Sequence, residues 1–142
     1  MDNINKSCKR ICLWSGPRNI STALMYSFAQ RPDTKVIDEP LYAHYLSKTD
    51  AKDYHPGSEE VLAKMEHDGA KVIQEILGPQ KQEVLFVKQM THHLLDLNLD
   101  FLNEVVNVLL TRDPKDMLPS YAKQVKNPKL YDVGYALHIE LI

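Results

Sequence analysis

Residues 10–22 read Arg-Ile-Cys-Leu-Trp-Ser-Gly-Pro-Arg-Asn-Ile-Ser-Thr. The apolar run from Arg10 to Ser15 predicts a buried strand, and the apolar stripe from Ile20 to Gln30 predicts a helix. Between them, Gly16 and Pro17 indicate a tight turn. A strand that passes through a short turn into a helix leaves free backbone N–H groups at the helix start. Together with the helix dipole, those groups favour an anion-binding site.

Side chains of the same loop can add to that anion site. Arg18 carries a full charge and several N–H donors, while Ser21 and Thr22 carry hydroxyl groups. The loop is not a Walker A motif, which needs Gly and Lys where this chain has Ser21 and Thr22. A P-loop kinase or hydrolase acting on ATP or GTP is therefore the weaker hypothesis. A plain strand-to-helix turn with an exposed arginine remains the structural alternative.

Short apolar runs alternate with amphipathic stretches along the rest of the chain. Further strands are predicted at 35–38, 83–89 and 105–111, and further helices at 58–77, at 94–104, from Pro114 and at 131–142. This order predicts an α/β fold with a three-layer architecture, in which helices cover both faces of a parallel sheet. Ligands of such sheets bind at the carboxyl ends of the strands, near 15–22, Asp38, Glu39, Lys88 and Arg112 here.

The length of 142 residues suits one domain, 1–142. The composition is 44% hydrophobic and 25% charged with a net charge of −2, which argues against a general nucleic-acid binder. The N-terminus has no apolar signal region, and no run approaches the roughly 20 apolar residues of a membrane span. We therefore expect no membrane association and a cytoplasmic location. The last predicted helix is still apolar at Ile142, so we expect the N-terminal part of a longer domain.

A second motif, Thr-Arg-Asp-Pro-Lys-Asp, occupies residues 111–116. Arg112 leaves the predicted fourth strand at its carboxyl end, and Asp113 with Pro114 predicts an N-cap followed by the first helical position. Ser120 follows Arg112 by eight residues, about two turns along a helix of 3.6 residues per turn. Both side chains can then converge on one phosphate group. A capped helix beside a surface arginine is the structural alternative.

The two motifs together resemble the sulfotransferase family. Residues 15–24 are similar to its 5′-phosphosulfate loop, in a form closer to that of tyrosylprotein sulfotransferases than to that of the cytosolic phenol enzymes. The segment Asp-Glu-Pro-Leu-Tyr at 38–42 resembles one found in sulfotransferase-like P-loop proteins. The resemblance covers roughly residues 11–121. It implies a sheet of P-loop NTPase-like topology and the sulfonate donor 3′-phosphoadenosine 5′-phosphosulfate (PAPS).

The resemblance also implies roles for residues of this chain. The donor loop comprises Gly16, Pro17, Arg18, Asn19, Ile20, Ser21 and Thr22, and the 3′-phosphate is held by Arg112 and Ser120. A sulfonate group would pass to a hydroxyl or amine of a small-molecule or peptide acceptor without a metal, and a homo-oligomer is compatible with the sequence. The loop lacks the second Gly and doubled Thr of the tyrosylprotein form. A non-catalytic nucleotide-binding fragment therefore stays open as an alternative.

Glu39 is the candidate general base, because it follows Arg18 by 21 residues, the separation found in the tyrosylprotein enzymes. Arg18 and Lys88 are the other candidate catalytic residues, and Lys88 would steady the bridging oxygen of the donor. Asp38 is expected to face away from Glu39, since neighbouring side chains of an extended segment point to opposite sides.

Three further features leave alternatives. His92 and His93 are alternative bases, although neighbouring histidines in a loop are more often solvated. The polar segment 47–57 is either a lid on the acceptor side or a disordered surface loop. Cys8 and Cys12 are expected to be free thiols.

Overall fold

A computed structural model describes residues 7–142 of the chain. Its strands are β1 (Lys9–Ser15), β2 (Thr34–Asp38), β3 (Val84–Met90) and β4 (Val106–Leu110). They form one parallel sheet in the order β2-β3-β1-β4. The predicted α/β class with a parallel sheet is confirmed, and all four strands lie within two residues of their predicted positions.

The helices are α1 (Ser21–Ala29), α2 (Tyr42–Lys48), α3 (Ser58–Lys64), α4 (Gly69–Leu77), α5 (Pro114–Tyr121) and α6 (Tyr135–Glu140). Short 3₁₀ turns occur at Asp50–Asp53, Thr91–His93, Leu99–Glu104 and Leu130–Val133. Over residues 7–142, every helix is too short or too polar to cross a membrane.

Apolar side chains of the central strand β1 pack on both faces of the sheet, because successive side chains of a strand alternate. On one face, Cys12 and Trp14 pack with Val72 and Ile76 of α4. On the other face, Leu13 packs with Met25 of α1. Each such buried side chain stabilises the fold by roughly 1.5–3 kcal/mol. Helices therefore cover both faces, as predicted from the sequence.

The predicted helix 58–77 is in fact two helices, α3 and α4. The chain leaves the helical conformation at Met65, and Asp68 begins α4 by accepting hydrogen bonds from the amides of Ala70 and Lys71. Gly69 lies so close to the His44 ring that a Cβ atom there would approach it to 2.8 Å. Only a glycine fits at this first position of α4 without displacing the His44 ring.

The helix predicted at 94–104 is wrong. Asp96 adopts a left-handed φ of 52°, and Asn98 accepts a hydrogen bond from the amide of Asp100, so only the 3₁₀ turn Leu99–Glu104 forms. The helix predicted at 131–142 begins only at Tyr135, because Gly134 before it has a φ of 72°. Both errors come from turn residues whose left-handed backbone stops the helix.

Gly134 and Gly57 allow the cost of this left-handed backbone to be measured separately from the cost of crowding. Both have positive φ, but a Cβ at Gly57 meets nothing within 4 Å, whereas one at Gly134 lies 3.3 Å from the backbone nitrogen of His92. We expect Gly57→Ala to lower the free energy of unfolding by about 1–2 kcal/mol. Gly134→Ala should lose more, because the backbone of His92 must also move. Chemical denaturation of both variants tests this, and equal losses would contradict the crowding at Gly134.

Candidate functional site

A cleft of about 800 Å³ opens at the carboxyl ends of the strands, where ligands of parallel sheets bind. The sequence-predicted residues that line it are Pro17, Arg18, Asn19, Ile20, Ser21, Thr22, Glu39, Lys88, His92, His93 and Arg112. Gly16 precedes this lining in the chain, and Ser120 adjoins it through a hydrogen bond with Arg18. The residues selected from two separate motifs thus surround one cavity.

The loop between β1 and α1 is held in an unusual backbone conformation. Arg18 and Ile20 have φ values of 59° and 61°, a left-handed region that is costly for a β-branched residue such as Ile20. The Ile20 side chain is 76% exposed, so burial does not offset this cost. Backbone strain of this kind persists where the surrounding structure imposes it, and it clusters at ligand-binding loops.

The start of α1 offers backbone donors to the cleft. Ile20 is the N-cap residue of α1, and its apolar side chain makes no capping hydrogen bond; the bond from Leu24 N to Ile20 O is the first of the helix. The amides of residues 21–23 therefore have no partner inside the helix. With the positive end of the helix dipole, they form a site suited to a phosphate or sulfonate group.

The second motif meets this loop. Arg112 Nη1 donates to the backbone oxygen of Arg18 at 3.0 Å, and Arg18 Nε donates to Ser120 Oγ at 3.0 Å. Asp113 caps α5 by accepting from the amide of Lys115, which holds Ser120 on a helix that starts beside the strand end. Two guanidinium groups and a hydroxyl therefore lie at the same end of the cleft.

Lys88, which also lines the cleft, lies between two carboxylates. The register of β2 and β3 pairs Asp38 with Lys88, and Lys88 Nζ lies 2.9 Å from Asp38 Oδ1 and 2.8 Å from Glu39 Oε1. Burial alone would lower the pKa of Lys88, but the two carboxylates raise it above its ordinary value. Lys88 is therefore a cation, although its side chain is only 5% exposed.

The expectation that Asp38 faces away from Glu39 is wrong. Glu39 has a φ of 45°, so the chain turns sharply there and does not stay extended. Its amide donates to the backbone oxygen of Lys88 at 2.8 Å, which holds this turn against β3. Both carboxylates then reach the same lysine.

His92 and His93 are buried, and the expectation that they are solvated is wrong. The His93 ring stacks on Tyr42 with 5.1 Å between ring centroids, and the His92 ring meets Tyr45 edge-on at 4.9 Å. Burial lowers the pKa of His92 to about 3 and the pKa of His93 well below its usual value. Both rings are neutral at pH 7 and are weak proton acceptors, which disfavours them as general bases.

Sequence reasoning missed Tyr42, His55 and Asp132. Tyr42 and His55 line the cleft, and the Tyr42 hydroxyl lies 3.0 Å from His55 Nδ1. His55 Nε2 in turn lies 3.5 Å from Oδ1 of Asp132, a fully buried carboxylate. No local spacing reveals this group, because Asp132 follows His55 by 77 residues.

Asp132 is an ionised buried carboxylate with several partners. It accepts hydrogen bonds from the hydroxyls of Tyr45 and Tyr54 and from the amide of Lys129. Burial would raise the pKa of Asp132, but these bonds and the contact with His55 lower it well below its usual range. A negative charge thus lies next to Nε2 of His55.

The segment 47–57 is ordered, so its interpretation as a disordered loop is wrong. It contains the end of α2 and the 3₁₀ turn Asp50–Asp53, and the side chain of Ala51 within it is fully buried. Its final residues His55 and Pro56 form part of the cleft wall. The prediction that it acts as a lid stays a prediction.

Comparison with known proteins identifies the family of this chain. A family model described as a sulfotransferase domain matches residues 9–142. Branched-chain-amino-acid aminotransferase-like protein 2 of Arabidopsis thaliana is 46% identical over 112 residues, which cover 78% of this chain and 20% of that protein. Branched-chain-amino-acid aminotransferase-like protein 1 of the same plant is 40% identical over 123 residues, covering 85% of this chain and 22% of that protein. The chain thus spans about a fifth of the length of these curated relatives. No solved structure matches.

The buried histidines make the stability of the domain depend on pH. His92 and His93 have lowered pKa values when folded, so the unfolded chain binds protons first as the pH falls below about 6.5. We expect the free energy of unfolding to hold above pH 7 and to fall between pH 6.5 and 5. The slope should be about 1.4 kcal/mol per pH unit for each histidine. Urea denaturation across this range measures it.

The control for this prediction is His67→Gln, because His67 is exposed. This variant should keep the fall in the free energy of unfolding between pH 6.5 and 5. His92→Gln should make that fall less steep, whatever the absolute stability of the variant. An unfolding free energy that stays flat from pH 6.5 to 5 in the unmodified protein would contradict the neutral state of the two buried rings.

Proposed function

The chain belongs to the sulfotransferase domain family, and we propose that it transfers a sulfonate group from PAPS to a hydroxyl or amine of a small-molecule or peptide acceptor. The observation that carries this proposal is the meeting of the two arginine motifs. Arg112 donates to the backbone of Arg18, and Arg18 donates to Ser120, close to the N-terminus of α1. This arrangement suits a ligand with two separate phosphate groups.

The donor loop supports the 5′ end of PAPS in this proposal. Residues 21–23 line the cleft, so their amides, which have no partner inside the helix, and the hydroxyls of Ser21 and Thr22 are the groups proposed to donate to the phosphosulfate oxygens. Arg18 supplies a positive charge beside them. Since charge-assisted hydrogen bonds are shorter and stronger than neutral ones, Arg18 is expected to contribute most of the side-chain affinity.

Arg112 and Ser120 support the 3′-phosphate. In the free protein, Ser120 is the partner of Arg18, so a bound phosphate would replace this contact with its own oxygens. Tyr135 donates to the backbone oxygen of Arg112 at 2.7 Å and thereby fixes the strand end from which the arginine projects. A ligand without a 3′-phosphate would lose these partners.

We assign the chemical step to Lys88 and Glu39, which both line the cleft. Sulfonate transfer needs the attacking and leaving groups in line and positive charge near the oxygens that gain negative charge. Lys88 is a fixed cation for this purpose. Glu39, which lines the cleft next to it, is proposed as the general base that takes the acceptor proton.

Binding of adenosine 3′,5′-bisphosphate (PAP) and adenosine 5′-phosphate (AMP) tests the assignment of the arginines. Arg18→Ala should weaken both ligands by about 1.5–3 kcal/mol, because both carry the 5′-phosphate. Arg112→Ala should weaken PAP by a similar amount and change AMP little. Isothermal titration calorimetry measures both affinities. The matched control is Arg31→Ala, an exposed arginine paired with Asp33 outside the cleft lining.

Two outcomes would contradict this assignment. Unchanged PAP affinity in Arg18→Ala would show that the loop does not hold the 5′-phosphate. Equal losses of PAP and AMP affinity in Arg112→Ala would show that Arg112 supports the loop through the Arg18 carbonyl and does not contact the 3′-phosphate.

Replacement of Glu39 tests the general base. Glu39→Gln keeps the size of the side chain but cannot accept the proton, so turnover should fall by roughly 10²–10⁴. PAP affinity should hardly change, because the phosphate partners are other residues. Transfer of ³⁵S from PAPS to benzyl alcohol and benzylamine measures turnover, with Glu60→Gln, which replaces an exposed glutamate of α3, as the matched control. Near-normal turnover of Glu39→Gln would show that another group takes the proton.

A further inference from the structure

Tyr42, His55 and Asp132 form a chain of polar side chains from the cleft to a buried charge, in which one link is a hydrogen bond and the other is a longer electrostatic contact. The Tyr42 hydroxyl lies 3.0 Å from His55 Nδ1, and His55 Nε2 lies 3.5 Å from Asp132 Oδ1. The His55 side chain is 8% exposed and that of Asp132 is fully buried. The donor-binding groups described above do not include these three residues, so their arrangement needs a different explanation.

The proton positions in this chain follow from the partners of Asp132. His55 Nε2 lies 3.5 Å from Asp132 and makes no hydrogen bond among the described residues, but because an ionised carboxylate only accepts hydrogen bonds, the charge of Asp132 favours the tautomer with the proton on Nε2. In a neutral imidazole the other nitrogen, Nδ1, then has a free lone pair. Tyr42 therefore donates its hydroxyl proton to His55, and the lone pairs of the Tyr42 oxygen are left for a ligand.

The Tyr42 ring is held in place for this contact. It stacks on His93 with an angle of 12° between the ring planes, and its amide donates to the backbone oxygen of Glu39 at 3.0 Å. Burial first, and then the charges of Glu39 and Asp132, raise the pKa of Tyr42 to about 12. The phenol therefore stays neutral, and it can accept a proton only while it passes its own proton to His55.

The charges that line the cleft are unevenly distributed. Arg18 and Arg112 lie where the two arginine motifs meet. The lining also contains the Glu39 carboxylate, which pairs with Lys88, and the rings of Tyr42 and Tyr121. A carboxylate beside aromatic rings is an environment that attracts an organic cation.

We propose that the acceptor is a primary amine and that the Tyr42–His55–Asp132 chain takes one of its protons. This inference rests on the proposed sulfonate transfer. An alkyl ammonium ion must lose two protons to become an N-sulfonate, whereas an alcohol loses only one. The cleft offers two proton acceptors to match this need, Glu39 and Tyr42.

The proposed transfer removes both amine protons through residues of the cleft. Glu39 takes the first proton and leaves a neutral amine. The nitrogen lone pair forms the N–S bond while the bond from sulfur to the bridging oxygen breaks, and its electron pair stays on the departing phosphate. The second amine proton moves to the Tyr42 oxygen as the Tyr42 proton moves to His55 Nδ1, and Asp132 compensates the imidazolium charge. Glu39 and His55 then release their protons to water.

Benzylamine and benzyl alcohol form a matched pair of probes, because they differ only in the reacting group. With ³⁵S-labelled PAPS, Tyr42→Phe and His55→Gln should each lower kcat for benzylamine by about 10² or more. They should lower kcat for benzyl alcohol only a few-fold, because Glu39 alone suffices for one proton. The controls are Tyr26→Phe and His67→Gln, which replace an exposed tyrosine and an exposed histidine.

Losses of equal size for both acceptors would overturn the inference, because they would indicate a structural or shared role for Tyr42 and His55. Transfer to benzyl alcohol without transfer to benzylamine in the unmodified chain would also overturn it. A protein that binds neither PAP nor PAPS would instead refute the proposed function itself.

A binding measurement keeps the inference testable if neither probe is turned over. Benzylamine should bind to the PAP-loaded chain more tightly than benzyl alcohol in calorimetric titrations, and Tyr42→Phe should remove most of this difference. PAP affinity should be unchanged in the variant, which shows that it is folded. Equal binding of the two probes to the PAP-loaded chain would overturn the inference.

Discussion

The parallel hydrogen bonding of β1 with β3 and β4 places the ends of three strands side by side, and the site depends on this alignment. Ser15 at the end of β1 pairs with Met90 on one side and with Leu110 on the other. The donor loop, the segment after Lys88 and the start of α5 therefore emerge at the same edge. The pairing of Asp38 with Lys88 adds the end of β2 to this edge of the sheet. Residues far apart in sequence become neighbours because parallel strands share one direction.

Charge is distributed across this edge in a way that the proposed reaction needs. Arg18 and Arg112 face the cleft where free helical amides also point, so one side attracts phosphate groups. Lys88 is held between carboxylates and stays charged despite its burial. Asp132 adds a buried negative charge next to His55, which lines the cleft. A site that separates positive and negative groups in this way can hold an anionic donor and a cationic acceptor together.

The fold and the meeting of the two arginine motifs could be predicted because their signals are local. Apolar runs indicate the strands. The eight-residue separation of Arg112 and Ser120 corresponds to about two turns of a helix, so both could be expected near one site. The errors arose where single backbone angles decide the outcome, as at Asp96, Gly134 and Glu39, since the residue type at a position does not fix the sign of its φ. The group of Tyr42, His55 and Asp132 could not be predicted, because only the tertiary fold brings Asp132 to His55.

A crystal structure of the chain with bound PAP tests the central claim, that one cleft holds both phosphates of a sulfonate donor. The account predicts the 5′-phosphate at about 3 Å from the amides of residues 21–23. It predicts the 3′-phosphate at a similar distance from the Arg112 guanidinium and Ser120 Oγ. A bisphosphate bound outside this cleft, or one whose 3′-phosphate contacts neither Arg112 nor Ser120, would contradict the account.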